Sequence, residues 1–289
     1  MEKIILISGM ARHGKDTVAE MLQKQLDKSV ITPYADYLKF ICEKYFGWNG
    51  VKDDDGREIL QRIGTNVIRK ENPDFWVNIV TELNYCLRSK WDYAIIPDCR
   101  FPNEYTVMVN KFGKNRVIAI KVDRPNFTNN LTQNQLKHSS ENAMKEFEFD
   151  YIISNNGTIQ DLQVEVNKFI NIYIKPLSIY VAGAYSAPTE QGKLDNSYKA
   201  INAGIEIIKK KHIPFIPHLS HWLDAKATEQ GISLDWNYWM YYTNVWLHKC
   251  DALLYLNSSK GADIELEVAK NNNKAIYYSV EEIPEFLGR

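Results

Sequence analysis

The stretch that decides the fold of this chain is LISGMARHGKDT, residues 6–17. An apolar run at residues 4–7 leads into two glycines, Gly9 and Gly14, and Lys15 follows the second glycine directly. A strand, a glycine-bounded loop and a helix in this order predict backbone N–H groups that surround phosphate oxygens. The lysine then reaches the outer phosphates, and the positive end of the helix dipole points to the same place. The pattern therefore predicts a nucleotide triphosphate site, and a strand–turn–helix without a ligand is the alternative.

One position departs from the usual form of this loop. Asp16 stands where a Mg²⁺-binding serine or threonine is usual, and Thr17 follows one residue later. A carboxylate among phosphate-binding amides repels phosphate unless it turns away or faces the metal ion. Thr17 and Asp16 are therefore the predicted Mg²⁺ ligands. The residues predicted to bind ATP are Gly9, Arg12, His13, Gly14, Lys15, Asp16 and Thr17.

Length and composition limit the classes of protein to consider. The chain has 289 residues, which favours two domains, each with its own core. A formal net charge of −1 gives no overall basic field for a nucleic-acid polymer. No apolar run approaches the roughly 20 residues that a membrane span needs. The four cysteines are scattered without a Cys-x-x-Cys pair, which predicts reduced thiols and a cytoplasmic protein.

Apolar strands alternate with amphipathic helices in both halves of the chain. In the first half, strands are predicted at residues 3–8, 93–97, 117–122 and 151–154, and helices at 15–25, 35–45, 55–70, 74–88 and 159–173. In the second half, strands are predicted at 178–181, 213–215, 252–256 and 275–278, and helices at 197–210, 236–248 and 264–270. This alternation predicts an α/β fold class with two three-layer α/β/α domains and mainly parallel sheets. Lys175-Pro176 interrupts the pattern, so the predicted domains are residues 1–174 and 177–289.

Four further motifs follow the loop in the first half. They are DGREILQRIGT at residues 55–65, DFW at 74–76, DCRFPNE at 98–104 and DRP at 123–125, with HSSE at 138–141 downstream. Arginine suits phosphoryl transfer, because its planar fork binds phosphate oxygens in two places and stays charged. At these residues the chain resembles the bacteriophage deoxynucleoside monophosphate kinases, part of the wider P-loop nucleoside-monophosphate-kinase group. The resemblance covers roughly residues 1–170 and includes the Gly-Lys-Asp-Thr form of the loop.

The resemblance implies a P-loop kinase fold, with ATP and Mg²⁺ acting on a deoxynucleoside monophosphate in the cytoplasm, or in the host cytoplasm if the gene is viral. The implied catalytic residues are Lys15, Asp98 and Arg124, the last as a lid over the donor phosphates. The implied acceptor-binding residues are Arg57, Arg69, Trp76, Arg100, Glu104, His138 and Glu141. Three of these have plain structural alternatives: Trp76 as core, His138 as a cap and Glu104 as a partner of an arginine.

A second set of motifs fills the other half of the chain. They are YVAGAY at residues 180–185, PFIPH at 214–218, CDALL at 250–254 and SKGADIELEVA at 259–269. These residues resemble the nucleoside 2-deoxyribosyltransferase-like superfamily, which includes deoxynucleoside-monophosphate N-glycosidases and has a Rossmann-like fold. The resemblance implies Glu265 as a nucleophile that attacks C1′ of a deoxyriboside. The implied pocket residues are Gly183, Tyr185, His218, Ser259, Gly261 and Glu265.

This second half departs from its family at one position. Thr243 stands where an aspartate usually helps to protonate the leaving base, and a threonine hydroxyl has no useful pKa for that role. Either Asp224 or Asp235 substitutes, or the domain binds a nucleotide without cutting it. The aromatic residues between 236 and 246 are too many for one buried stripe, and they predict a homo-oligomer interface in preference to a base-stacking wall.

Together these observations predict a kinase of deoxynucleoside monophosphates joined to a domain that cleaves or binds the N-glycosidic bond of a deoxynucleotide. The predicted partners are small nucleotides and a second copy of the chain. Two alternatives remain: a second domain that is only a sensor or oligomerisation module, and a kinase whose acceptor is a modified nucleotide.

Overall fold

The computed structural model describes residues 1–51, 53–127 and 139–288. The chain forms two compact units, Met1–Phe169 and Ile170–Arg289. The division falls inside a helix, Ile159–Tyr173, and thus a few residues before the predicted boundary. No helix among the described residues is both long and apolar enough to cross a lipid bilayer.

Unit 1 contains a sheet of five parallel strands. These are β1 Lys3–Ser8, β2 Ser29–Ile31, β3 Tyr93–Ile96, β4 Val117–Asp123 and β5 Tyr151–Ser154, in the order β2-β3-β1-β4-β5. Every residue of β1 is buried, because this strand lies in the middle, paired with β3 and β4. The chain reverses order at β1, so the carboxyl ends of β1 and β3 border the crevice where open α/β sheets bind ligands.

The helices of unit 1 mostly follow the prediction. They are α1 Lys15–Gln25, α2 Ala35–Tyr45, α3 Asp54–Gln61, α4 Phe75–Cys86, α5 Pro102–Phe112, the short α6 Ser139–Asn142 and α7 Ile159–Tyr173. A π-helix, Arg62–Arg69, continues α3 without a break, so the helix predicted at 55–70 changes its hydrogen-bond pattern halfway. The helix α5 and the strand β2 were not predicted from the sequence. Phe101, which precedes α5, has no polar side chain to mark a helix start.

Unit 2 contains four parallel strands and four helices. The strands are β6 Ser178–Ala182, β7 Ile213–Phe215, β8 Ala252–Tyr255 and β9 Ala275–Tyr277, in the order β7-β6-β8-β9. The helices are α8 Glu190–Lys209, α9 Ser220–Glu229, α10 Trp236–Lys249 and α11 Lys260–Asn271. The prediction missed α9 and began α8 and α11 several residues late. Polar first turns carry no apolar periodicity, and both helices start with them.

Both faces of the second sheet are covered by helices. Ile179 and Val181 pack on one face with Ala203 and Ile207 of α8, whereas Tyr180 packs on the other face in a cluster with Leu247 of α10. Alternate residues of one strand point to opposite faces, so two separate clusters on one strand require a layer on each side. The α/β fold class, with parallel sheets in three-layer units, is therefore confirmed for the described residues.

Candidate functional site

The glycine-bounded loop runs from the end of β1 to the start of α1. Gly9 has φ +142°, and a Cβ atom there would lie 2.4 Å from the carbonyl oxygen of Val122 on β4. Gly14 is the residue before α1 and has φ +94°, a backbone conformation that residues with a side chain rarely adopt. Both positions therefore need glycine. The loop passes close to a neighbouring strand, and its backbone N–H groups lie just before the N-terminus of α1.

His13 forms hydrogen bonds that connect this loop to the residues directly after β4 and β5. The backbone N–H of Arg124 donates to His13 Nδ1 at 3.1 Å, and Asn155 Nδ2 donates to the His13 carbonyl at 2.8 Å. The side chain is buried, and burial lowers the pKa of the imidazole. In this arrangement His13 holds the loop in place. The guanidinium of Arg124 lies 4.6 Å from the centre of the Phe127 ring.

Lys15 is buried within the loop. Its ammonium group donates to the carbonyl oxygens of Gly9 and Met10, at 2.8 Å each. Asp16 is exposed in the first turn of α1, and Thr17 is half-buried beside it. The described residues contain no cluster of three or more His, Cys, Asp or Glu side chains that would hold a metal ion alone. The Mg²⁺ ligands expected at Asp16 and Thr17 stay a prediction.

A cavity of about 210 Å³ adjoins the loop at Ala11. Its walls bring together Arg57, Arg69, Trp76, Asp98, Arg100 and Glu104, which the sequence analysis had singled out. They also include Tyr34, Lys39, Gln61 and Thr65, which it had not. Four of the lining side chains are cations, so the cavity suits an anionic ligand next to the phosphate loop. We call this cavity the acceptor pocket.

Arg69 is held rigidly at the wall of the acceptor pocket. Its Nη2 lies 2.8 Å from Glu104 Oε1, its Nη1 donates to the Pro73 carbonyl at 3.3 Å, and its guanidinium stacks 4.1 Å from the centre of the Phe101 ring. The other oxygen of Glu104 accepts the N–H groups of Arg100 and Phe101, at 2.6 and 3.0 Å. Burial raises the pKa of Glu104, although Arg69 opposes the shift. Glu104 thus positions an arginine and the start of α5.

Asp98 links the end of β3 to α2. Its two carboxylate oxygens accept the backbone N–H groups of Tyr34 and Ala35, at 2.9 and 2.8 Å. Burial raises the pKa of Asp98, and these two hydrogen bonds oppose the shift. The carboxylate therefore caps a helix that walls the acceptor pocket, and the pocket reaches the same side chain. The catalytic role expected for Asp98 stays a prediction.

Trp76 anchors the π-helix to the rest of the pocket wall. The indole is buried, and its Nε1 donates to the carbonyl oxygen of Gly64 at 3.0 Å. Its ring meets Phe75 edge to face, with centroids 4.9 Å apart. A Cβ on Gly64 would lie 2.6 Å from Leu38 Cδ2, so the π-helix packs tightly on α2. Trp76 is therefore mainly a packing residue, which favours the structural alternative that the sequence analysis left open.

Two of the predicted acceptor residues cannot be placed. His138 lies outside the residues that the structure describes, and so does the side chain of Glu141. Tyr34 is the most informative residue that the sequence analysis missed. Its hydroxyl is buried and has no hydrogen-bond partner among the described residues. Nothing in the local sequence could have indicated it, because burial, which raises the pKa of the Tyr34 hydroxyl, comes from packing against distant parts of the chain.

Unit 2 has a second cavity, of about 470 Å³, at the carboxyl ends of β6, β7 and β8. We call it the unit 2 pocket. Its walls include Gly183, Tyr185, His218, Ser259, Gly261 and Glu265, all of which the sequence analysis had singled out. They also include His221, Asp224, Trp236, Trp239 and Thr243.

Glu265 is the most unusual group of the unit 2 pocket. Only 8% of the residue is exposed, and its Oε1 accepts hydrogen bonds from the hydroxyls of Tyr180 and, at 3.4 Å, Thr243. Burial raises the pKa of Glu265 to about 7, although the two hydroxyls oppose the shift. A buried carboxyl group whose pKa is raised this far marks a candidate functional site. The contact of Tyr180 with Glu265 was not predicted, because a tyrosine inside a buried strand is usually a core packing residue.

The rim of the unit 2 pocket carries polar groups with defined partners. Ser259 Oγ accepts the N–H of Ala262 at 3.2 Å and so caps α11. The Tyr185 hydroxyl lies 2.8 Å from His221 Nδ1. His218 Nε2 lies 3.2 Å from the Ala184 carbonyl, while its Nδ1 has no partner among the described residues. Burial lowers the pKa of His218, so this imidazole is neutral at pH 7.

The two aspartates proposed to replace an acid at position 243 lie in different surroundings. Asp235 is exposed, accepts the N–H of Tyr238 at 2.8 Å and caps α10 outside the pocket walls. Asp224 lines the pocket and accepts a hydrogen bond from Trp239 Nε1 at 3.2 Å. The structure thus brings Asp224, and not Asp235, to the predicted site.

Comparison with known proteins links part of this chain to one family. The model of the deoxynucleotide monophosphate kinase family matches residues 48–166. No curated protein matches the chain significantly. Similar solved structures include a tunicamycin resistance protein from Deinococcus radiodurans, 16% identical, covering 61% of this chain and 99% of that one, with a TM-score of 0.37. A shikimate kinase from Bacteroides thetaiotaomicron is 10% identical, covering 58% and 96%, with a TM-score of 0.35.

An APS kinase from Mycobacterium tuberculosis is 12% identical, covering 58% of this chain and 96% of that one, with a TM-score of 0.30. Structural likenesses this weak support no conclusion about activity. The family match is informative for another reason: residues 48–166 supply most of the acceptor pocket, from Arg57 to Ser140. That segment of the chain is similar in sequence to deoxynucleotide monophosphate kinases.

Proposed function

We propose that unit 1 transfers the γ-phosphoryl group of ATP to a deoxynucleoside monophosphate. The observation that carries the proposal is the adjacency of two anion sites. A phosphate loop with a buried lysine opens beside an acceptor pocket lined by Lys39 and three arginines, and Ala11 borders both. The family match over residues 48–166 supports the same chemistry.

In the proposed reaction the chain's residues position two anions and neutralise charge. Loop amides and the ammonium of Lys15 bind the donor phosphates, and Arg124 approaches them from the end of β4. Arg57, Arg69 and Arg100 bind the acceptor monophosphate, and Glu104 orients Arg69. An acceptor phosphate oxygen bonds to the γ-phosphorus as the bond to the bridging oxygen of ADP breaks. Mg²⁺, with Thr17 as a ligand, would supply further charge neutralisation on the donor.

A direct assay tests this proposal. The protein is incubated with ATP, Mg²⁺ and each of the common deoxynucleoside monophosphates, together with pyrimidine-modified ones, and the products are separated. We expect a deoxynucleoside diphosphate from at least one acceptor. Lys15→Ala should reduce turnover by at least about 100-fold, whereas Lys24→Ala, on the exposed face of the same helix, should not. Failure to form diphosphate from any acceptor would contradict the proposal.

For unit 2 we propose binding of a deoxynucleotide and cleavage of its N-glycosidic bond. Glu265 favours cleavage, because burial leaves this carboxyl group poorly solvated and raises its pKa to about 7. Thr243, beside Glu265, favours the alternative in which the unit binds a nucleotide as a sensor without turnover. Release of free base from deoxynucleoside monophosphates separates the two. Glu265→Ala should abolish release and Glu267→Ala, at an exposed position, should not; calorimetric binding without product would favour the sensor.

Several broader expectations remain part of this proposal. The exposed aromatic side chains of α10, with Tyr241 72% exposed, suit self-association of the chain through unit 2. Light scattering tests this, and Tyr241→Ser should weaken it. Joining the two activities would let one protein phosphorylate some deoxynucleotides and remove others in the cytoplasm. A viral origin is supported only by the resemblance of the motifs.

A further inference from the structure

We propose that His221 is the acid that protonates the leaving base in the unit 2 pocket. The inference rests on the proposed cleavage and names the group that the sequence analysis could not find. A departing base carries away the electron pair of the glycosidic bond, so a proton donor has to face it. Thr243 cannot supply this proton, and the pocket walls contain few other candidates.

Sheet order places His221 across the pocket from Glu265. The strands run β7-β6-β8, and each is followed at its carboxyl end by one pocket wall. His221 stands at the start of α9, which follows β7, whereas Glu265 stands on α11, which follows β8. The loop after β6, with Tyr185, lies between them. Two strand spacings separate the backbones of β7 and β8, about 10 Å.

The hydrogen bonding of His221 prepares one ring nitrogen for the proton transfer. Nδ1 lies 2.8 Å from the Tyr185 hydroxyl, which fixes the ring, and no described residue forms a hydrogen bond to Nε2. The charged groups around the ring are Asp224 one turn along α9 and Glu190 of α8, which interacts electrostatically with His221. Lys193 of α8 faces Tyr185. Histidine is the side chain that most often acts as a general acid in enzymes.

The remaining candidates in the pocket fit the role less well. His218 is neutral, because its burial lowers the pKa. Asp224 already accepts a hydrogen bond from Trp239 and is an acceptor-only group when ionised. Lys260 lies over the ring of Trp236, 4.5 Å from its centroid, at the rim. His221 alone combines a half-buried position, an orienting partner and an available ring nitrogen.

The proposed reaction is balanced in two steps. A carboxylate oxygen of Glu265 bonds to C1′, the C1′–N bond breaks, and its electron pair takes the proton from Nε2 of His221. The products are the neutral base and a glycosyl ester on Glu265. Water then attacks C1′, the ester bond breaks, and the proton of the water goes to Nε2. The sum is a deoxynucleotide and water giving free base and 2-deoxyribose 5-phosphate, with both side chains restored.

The test compares leaving groups that need a proton with one that does not. Base release from deoxynucleoside monophosphates is measured beside 4-nitrophenolate release from the 4-nitrophenyl glycoside of 2-deoxyribose 5-phosphate. We expect His221→Gln to slow base release by about 100-fold or more and nitrophenolate release by less than about threefold, because only the base needs an acid. Glu265→Ala should abolish both. His248→Gln, at an exposed histidine outside the pocket walls, is the matched control and should change neither rate. Asp224→Asn tests the other candidate acid.

Three results would overturn the assignment of His221. They are equal loss with both leaving groups, no loss with either, and a selective loss in Asp224→Asn in place of His221→Gln. Thermal unfolding of each variant shows whether an equal loss reflects misfolding, and His221→Asn then repeats the comparison. A wild-type protein that releases neither base nor nitrophenolate would instead contradict the cleavage proposal itself, and the role of His221 with it.

Discussion

Buried carboxylates mark both pockets, and the identity of their partners separates their roles. Glu104 has a guanidinium 2.8 Å away, and Asp98 has two backbone N–H groups. Glu265 has only two hydroxyls. Burial raises the pKa of all three carboxyl groups, and it raises that of Glu265 to about 7 because the two hydroxyls oppose the shift only in part. Glu104 and Asp98 stabilise the structure through these partners, whereas ionisation of Glu265 in the folded protein lowers its stability.

Replacing Glu265 should show this cost directly. Its pKa is raised above the unfolded value of 4.5, so its stabilising contribution is fully present below about pH 4.5 and is lost as the pH rises through 7. Glu265→Gln keeps the shape and should raise the free energy of unfolding at pH 8 by up to about 3 kcal/mol, with little effect at pH 4.5. Denaturant titration at both pH values measures this. Equal changes at both, or a change matched by Glu267→Gln, would contradict it.

The orphan hydroxyl of Tyr34 leads to a second stability prediction. A buried hydroxyl without a partner costs free energy, so Tyr34→Phe should raise the free energy of unfolding by about 1 kcal/mol. Tyr93→Phe is the control, because the Tyr93 hydroxyl already donates to Glu2 at 3.3 Å on an exposed edge. Urea denaturation of both variants measures the difference. A destabilised Tyr34→Phe protein would mean that the hydroxyl has a partner after all.

Among the helices and strands, the join between β1 and α1 is the most constrained. Gly9 lies against the carbonyl oxygen of Val122. A Cβ atom at this position would be 2.4 Å from that oxygen, which is too close for any side chain. From the sequence motif, the role predicted for this glycine was phosphate binding. The structure adds a second reason, namely the close approach of the loop to the neighbouring strand β4.

Substitution of this glycine should therefore act on both stability and binding. Gly9→Ala should lower the free energy of unfolding by about 2–4 kcal/mol, through contact with a rigid backbone atom and a positive φ. Gly113→Ala is matched for positive φ, at +90°, but has nothing within 4 Å, and should cost about 1–2 kcal/mol. Thermal unfolding and ATP titration of both variants measure the two effects. Similar results for the two alanines would contradict the argument.

Apolar periodicity predicted the long amphipathic helices but not those whose first turns lack it. α5 and α9 both line pockets and both went unnoticed. Pro102 at the first position of α5 and Glu104 at the third were usable signals of a helix start. The π-helix could not have been foreseen, because a shift from four- to five-residue hydrogen bonding leaves the apolar pattern of residues 55–70 almost unchanged.

In the whole molecule, each pocket is lined by residues of one unit only. The acceptor pocket draws on residues from Ala11 to Ser140, and the unit 2 pocket draws on residues from Gly183 to Glu265. The unit division at Phe169 and Ile170 separates the two sets completely. Each proposed activity therefore has all of its described residues within a single compact unit.

This separation predicts that the two activities can be removed independently. Lys15→Ala should stop diphosphate formation and leave base release within about twofold of wild type, and Glu265→Ala should do the reverse. Both activities are assayed in both variants, with the double variant as the control for additivity. Loss of base release in Lys15→Ala, in a protein that still unfolds at the wild-type temperature, would show that the two sites are coupled.

The sequence by itself determined the features that depend on neighbours along the chain. Strand and helix periods and the two glycines of the loop predicted the fold class, because these signals are local. Motif spacing also selected most of the side chains that line the two pockets, since residues after parallel strands gather at one edge of a sheet.

Only the tertiary structure decided what each of those side chains binds. Asp98 meets α2 from 64 residues away and Tyr180 meets Glu265 from 85 residues away, so no local pattern records either contact. Burial is likewise a property of the assembled layers, and it alone moves the pKa of Glu265 to about 7. The reason is physical: desolvation and hydrogen bonding depend on what surrounds a group in space, and strand order fixes those surroundings only after the sheet has formed.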